Sequence, residues 1–217
     1  MSASTSDGIV LVAYSGHALV VGDALRGMGT PLLGYCDLEE KANDPLGLRY
    51  LGPETSYYSS GGPGKYFVAV GDNRLRRIIS ERLDALATAS PAAIHPSAYL
   101  GFGVGVDELS LVAAGALVQP LAQIGRGAIV NTGAVVEHEC RLGDFTHVGP
   151  NATLAGNVRV GGGSFVGAGA VVLPNVTIGR GAVLGAGAVL TKDIPDGGTW
   201  VGNPARPLIS RSGAATK

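Results

Sequence analysis

Cysteine is nearly absent from this chain: Cys36 and Cys140 are the only two in 217 residues. No disulfide framework can be built from them, which suits a reducing compartment. No run of about 18 apolar residues occurs that could cross a membrane, and no basic region followed by a long apolar run opens the sequence. An excess of positive charge is also missing. Sixteen Lys and Arg stand against seventeen Asp and Glu, so no basic footprint points to nucleic acid. These absences predict a soluble, cytoplasmic protein with neither nucleic acid nor membrane among its partners.

What the chain has in plenty is glycine, 35 residues, and the glycines follow a period. From Ile94 to Leu190 every sixth residue is a branched aliphatic, through Val112, Val130, Val148, Val166 and Leu184, without a slip of phase. Four residues after each aliphatic stands a small or modest residue, such as Ala116, Ala134, Cys140, Ala152 or Ala170. A six-residue period fits neither a 3.6-residue helix nor a strand hairpin. It marks a hexapeptide parallel β-helix. Three hexads make one triangular coil, so residues 94–189 supply sixteen hexads, a little over five coils. With coils about 4.8 Å apart the prism is roughly 25 Å long. Position one of the hexad fills the interior, and position five points inward near a corner. Glycine at position two, as at Gly143, Gly161 and Gly167, is expected to relieve strain at tight corners. The open ends of the stack are exposed strand edges that need covers. Residues before the repeat are expected to cover one end. The tail from Asp193, with Val201-Gly202-Asn203-Pro204-Ala205-Arg206, is expected to cover the other.

The first 90 residues carry a different pattern. Ile9 to Ala13 reads as a buried strand, followed by Tyr14-Ser15-Gly16-His17 and an amphipathic helix from Ala18 to Met28. A second strand runs from Leu32 to Cys36 and ends at Asp37. Residues 38–64 read as loop, and a third strand, Tyr66 to Val70, ends at Gly71-Asp72-Asn73 before a helix from Arg74 to Ala87. Strands alternating with helices imply a parallel sheet. The fold class is therefore an α/β, Rossmann-like N-terminal domain (1–90), joined near Ser90-Pro91 to a β-helix (91–193), with a C-terminal cap and tail (194–217). The loop Ala13-Tyr14-Ser15-Gly16-His17-Ala18 has one glycine where a dinucleotide fingerprint has three, which argues against NAD. A strand–loop–helix still presents N–H groups to a phosphate, and Asp37 stands where an acid meets a ribose hydroxyl. As a plain structural residue, Asp37 would be a turn former and His17 loop packing.

One stretch of the repeat exceeds structural need. Between Glu137 and His147 lie two of the four histidines and three carboxylates, Glu137, Glu139 and Asp144. His138 at position three and His147 at position six both point out of the prism. The competing reading is a solvated surface, against which stands the low charge of the remaining coils. Cys140 at position five is an interior filler, and a buried neutral thiol is inert, so no thioester intermediate on it is expected. Nine residues, half a coil, separate His138 from His147. They lie on different faces of their own prism, so a site that uses both would lie between neighbouring subunits. Zinc needs three protein ligands and an open position. Only two histidines flank this region, with His95 about two and a half coils away, so no metal is expected.

The motifs Ser15-Gly16-His17, Ala69-Val70-Gly71-Asp72-Asn73 with Arg76 or Arg77 following, Ile94-His95-Pro96-Ser97, the segment Asn131 to His147, Ala155-Gly156-Asn157-Val158 and Val201-Gly202-Asn203-Pro204-Ala205 together resemble the nucleotide-sugar acetyltransferases of the PglD/NeuD kind, in the bacterial hexapeptide transferase superfamily. The resemblance spans nearly the whole chain. It implies a left-handed β-helix, acetyl-CoA as cosubstrate and a homotrimer with sites between prisms. It makes His138 the general base and Glu139 the carboxylate that raises its basicity. His147 would contact acetyl-CoA, with Ala168 and Ala186 lining the pantetheine groove. Ser15, Gly16, His17, Asp37, Gly71, Asp72 and Asn73 would hold the nucleotide sugar. The implied reaction is N-acetylation of the 4-amino group of a UDP-, dTDP- or GDP-linked 4-amino-4,6-dideoxy sugar for a surface glycan such as O-antigen. A histidine that titrates near neutral pH suits removal of the amine proton. Where the family carries a second acid after the position of Asp37, this chain has Leu38. The rival activities are O-acetylation of a sialic acid-type sugar by the same base, and a non-catalytic nucleotide-sugar-binding protein.

Overall fold

A computed structural model describes residues 8–208; the expected termini, 1–7 and 209–217, lie outside the described residues. The N-terminal unit is a three-stranded parallel sheet. Its central strand β1 (Ile9–Val12) is flanked by β2 (Leu32–Cys36) and β3 (Lys65–Val68). All four β1 residues are buried because helices cover both faces. Helix α1 (Gly16–Gly27) lays Ala18, Val21, Ala24 and Leu25 on the sheet and starts two residues earlier than the amphipathic pattern suggests. Helix α3 (Asn73–Leu83) turns Arg76, Ile79, Ser80 and Leu83 inward, at helical spacing, and is capped by Asp72, whose carboxylate accepts from Leu75 N at 2.7 Å. The stretch expected to be loop contains a short helix, α2 (Glu54–Ser59). Its apolar pattern is too brief to read, and its Glu54 is held by Arg82 of α3.

Beyond Ser90 the architecture changes to a parallel β-helix. Seventeen two-residue strands, β4 (Ala93–Ile94) to β20 (Val189–Leu190), recur every six residues. They stack into three sheets: β4, β7, β10, β13, β16 and β19 in the first; β5 to β20 in steps of three in the second; β6 to β18 in the third. Each strand pairs in register with the one 18 residues on, as Ile129↔His147, Val135↔Thr153 and Arg141↔Arg159 show. The architecture is consistent with the left-handed β-helix that the resemblance implies. The interior is one column of position-one aliphatics and position-five small residues, from Val112 and Ala116 to Leu190 and Ile194, almost all buried.

Two structural expectations are corrected. The left-handed backbone of the corners falls at position four, where Gly163 (φ 73), Asn157 (φ 56) and Glu139 (φ 61) stand. Glycine at position two answers a different need, clearance between coils. A Cβ on Gly161 would lie 2.6 Å from Arg180 N, and one on Gly143 would lie 2.7 Å from Gly162 N. The N-terminal unit does not close the open end of the prism; it lies against the outer face of the first sheet. Ala93, Leu111, Ala113 and Ile129 join a core with Ile9, Leu11, Ala18 and Leu25, while Ile94, Leu100 and Val106 of the first coil stay half-buried. At the other end the tail does close the stack. Strand β21 (Thr199–Val201) pairs with β19 (Val183–Leu184), and Ala205 and Trp200 pack on the core.

Candidate active site

The chain gathers the candidate histidines into two clusters, half a coil apart. The first lies in the turn between β11 (Val135–Val136) and β12 (Arg141–Leu142), at the edge between the second and third sheets. There His138 Nδ1 stands 3.0 Å from Glu139 Oε2, and both side chains are more than half exposed. The short corner leaves Glu139 at φ 61, a left-handed conformation that costs a non-glycine residue about 1–2 kcal/mol. The coil that follows holds Gly156 directly against the imidazole: a Cβ there would sit 2.6 Å from His138 Nε2. Gly156 was missed as a site residue, although it stands one coil, 18 residues, after His138. Burial pushes the Cys140 thiol up to about 11, which keeps it protonated and inert as expected of a position-five residue.

The second cluster forms where the N-terminal unit covers strand β13 (His147–Val148). His147 points out of the prism as its hexad position demands, yet it is only 8% exposed because the N-terminal unit closes over it. Its Nδ1 lies 3.2 Å from the carbonyl of Gly71, and Asn131 Nδ2 reaches its Nε2 at 3.0 Å. A carbonyl only accepts, so Nδ1 carries the proton and Nε2 accepts from the Asn131 amide. His17, from the first turn of α1, faces it with ring centroids 6.3 Å apart. Phe165, one coil beyond, meets it edge-on at 5.1 Å. Burial is the main cause that lowers both imidazoles to about 4. The Arg76 guanidinium pushes both the same way, and His147 also lowers His17. Both rings are therefore neutral at physiological pH.

The remaining expected residues take varied places. Gly71 joins the second cluster through its carbonyl. Asp72 is occupied as the α3 cap, and Asn73 donates to the carbonyls of Gly163 and Ser164 at 3.1 and 3.0 Å, tying the N-terminal unit to the prism. Ser15 and Gly16 are exposed at the start of α1. Asp37 has both oxygens engaged, by Tyr14 N (2.8 Å), Leu38 N (2.7 Å) and Lys41 Nζ (3.1 Å), which makes it a loop-holding residue in this state. These contacts hold it below the usual carboxylate range against the opposing effect of burial. Ala168 and Ala186 lie exposed on one corner, a coil apart, between the first and second sheets. Phe165 escaped the sequence reading, although the 18-residue offset from His147 marks it; Asn131 and Arg76 stood within matching segments but without a role. Among the described residues no group of three His, Cys, Asp or Glu could hold a metal, and no helix is long and apolar enough to cross a membrane.

A β-helix with an α/β unit folded onto its flank, and an exposed histidine–carboxylate pair, defines an acyltransferase of the hexapeptide-repeat class. Residues 8–83 match the model of the PglD N-terminal domain, and residues 157–192 match the bacterial transferase hexapeptide model of six repeats. PerB from Caulobacter crescentus, solved with CoA and GDP-perosamine, is 39% identical over 93% of this chain and 97% of its own, with a TM-score of 0.86. The acetyltransferase domain of PglB from Neisseria gonorrhoeae, solved with acetyl coenzyme A, is 37% identical over 94% of this chain and all of its own, with a TM-score of 0.87. WeeI from Acinetobacter baumannii, 24% identical with a TM-score of 0.83, shares the fold. A search of curated proteins finds no match. The chain belongs to the nucleotide-sugar acetyltransferases of the hexapeptide superfamily.

Proposed function

We propose that the protein transfers the acetyl group of acetyl-CoA to the 4-amino group of a UDP-, dTDP- or GDP-linked 4-amino-4,6-dideoxy sugar, for assembly of a surface glycan. The observation that carries this reading is the His138–Glu139 pair, 3.0 Å apart, in a chain 39% identical to an enzyme solved with CoA and GDP-perosamine. Glu139 holds the proton on Nδ1 and leaves Nε2 as the basic lone pair. The sugar amine attacks the thioester carbonyl and forms the C–N bond. Its proton passes to His138 Nε2, and the C–S bond breaks to release CoA, which is reprotonated at sulfur. A positioned base of this kind supplies about 10²–10⁴-fold.

The reading places the reaction between subunits of a homotrimer, in the cytoplasm. His138 of one subunit would face His17 and His147 of the next, and the pantetheine would pass Ala168 and Ala186. Two observations support it. One cluster sits at an edge of the prism between the second and third sheets and the other on the face formed by the first sheet. The outward residues of the second sheet are Tyr99, Leu117, Val135, Thr153, Val171 and Val189, apolar but for Thr153 and with Tyr99, Leu117 and Val171 exposed, while those of the third are Gly105, Gln123, Arg141, Arg159 and Thr177. A largely apolar stripe along the outside of the prism fits burial against a second copy.

The test is thiol release from acetyl-CoA in the presence of UDP-, dTDP- and GDP-linked 4-amino sugars, with product mass and stability to mild alkali. An alkali-stable product heavier by one acetyl group is expected with at least one acceptor. No thiol release with any acceptor would overturn the reading, and an alkali-labile product would give the reaction to a hydroxyl instead.

A further inference from the structure

Arg76 lies at the seam between α3 and the prism and is 2% exposed. Its Nε donates to Gly127 O (2.8 Å), and its Nη1 donates to Val70 O (3.0 Å) and Gly71 O (3.1 Å). Its Nη2 donates to Asn73 Oδ1 (2.8 Å), Thr146 O (3.2 Å) and Phe145 O (3.3 Å). It enters no ion pair among the described residues. A buried cation held only by neutral acceptors is a costly device for joining two units, and apolar side chains of similar volume do so as well or better. Its acceptors divide into two sets. One is the turn from Val70 to Asn73. The other is in the prism and includes the two carbonyls that immediately precede His147. Gly71 O receives both Arg76 and His147 Nδ1. Only a planar guanidinium, with five donors in a fixed fork, can serve both sets at once.

We propose that Arg76 is a positioning residue for acetyl transfer: it clamps the Gly71–Asn73 turn against the strand that carries His147. The clamp fixes the His147 Nδ1–H on Gly71 and holds the His17–His147 pair toward the bound substrates. The role deepens the function proposed above and rests on it for its kinetic consequence. It concerns substrate binding and not the base, because every Arg76 contact lies on the His147 side of the chain and none reaches His138 or Glu139.

The experiment compares wild type with Arg76→Lys, which keeps the charge and loses the fork. In a folded R76K protein the KM for the nucleotide sugar should rise at least tenfold while kcat at saturating substrates stays within about threefold, because the base is untouched. Ring ¹⁵N NMR of histidine-labelled protein should show His147 locked as Nδ1–H in wild type and averaging between tautomers in R76K. Asn73→Ala removes the one side-chain acceptor of Arg76 and should give the same kinetic split in weaker form, which covers the event that R76K does not fold. The proposal is overturned by an Nε2–H tautomer at His147 in wild type, by unchanged constants and spectra in folded R76K, or by a loss confined to kcat in N73A. If wild type acetylates no nucleotide aminosugar, the function reading fails while the ring spectra still test the clamp.

Discussion

Glu139 combines two demands at one residue. Its backbone is left-handed, where glycine or asparagine is more comfortable, and its carboxylate serves His138. Replacement by glycine should therefore leave stability within about 1 kcal/mol of wild type, or raise it, while turnover falls at least tenfold. Glu139→Gln should lower turnover at unchanged thermal stability. Thermal unfolding and kcat measured on both variants separate strain from chemistry, and a Glu139→Gly protein of full activity would remove the carboxylate from the mechanism. His138→Ala should lower kcat by about 10²-fold or more, and a near-wild-type rate would sink the base assignment. His17 and His147 make a prediction about pH. Each has a folded pKa of about 4 against an ordinary 6.5, so the unfolded chain takes up protons that the folded chain refuses. Stability should be full above about pH 6.5 and fall as pH drops toward 4, each group adding at most about 1.4 kcal/mol per pH unit. Melting temperature measured against pH should show this slope, and a His147→Gln variant should flatten it.

At the scale of elements, the hexad served as a ruler. It placed Cys140 inside, His138 and His147 outside, and both histidines half a coil apart, because a strand of two residues sends successive side chains to opposite sides. What the ruler missed was which corner residue needs which freedom. Position two needs room for the next coil and position four needs a left-handed backbone. Gly161→Ala should thus cost about 1–3 kcal/mol through overpacking against Arg180 N and Gly179. Gly187→Asn at a left-handed corner with open space around it should cost less than about 1 kcal/mol. Equal melting temperatures for the two variants would refute the distinction. The short helix α2 and the start of α1 at Gly16 were not legible, since a helix of six residues has no period to read and helix ends are set by packing.

For the whole molecule the decisive question is where the two clusters meet. If they meet between subunits, mixed trimers of His138→Ala and His147→Ala protein should regain activity, since a site with both native residues forms at about a quarter of random interfaces. Co-expressed chains compared with each variant alone would show it. Mixed oligomers as inactive as their parents would return both residues to one subunit's site.

The sequence by itself determined the coil, the period, the order of the parts and the side of the wall on which each repeat residue stands. Those properties follow from local alternation repeated every 18 residues. Only the tertiary structure decided that His147 is buried, that its proton sits on Nδ1, that Asp37, Asp72 and Asn73 are engaged as structural partners, and that Arg76 binds the two units. Asp37 and Asp72 find their partners within 23 positions, but the rest depend on contacts between residues 70 or more positions apart, such as His147 with Gly71 and Arg76 with Thr146. No local pattern encodes a meeting between a strand of the prism and a turn of the sheet; it arises when the apolar face of the first coils and the face of α1 leave water together.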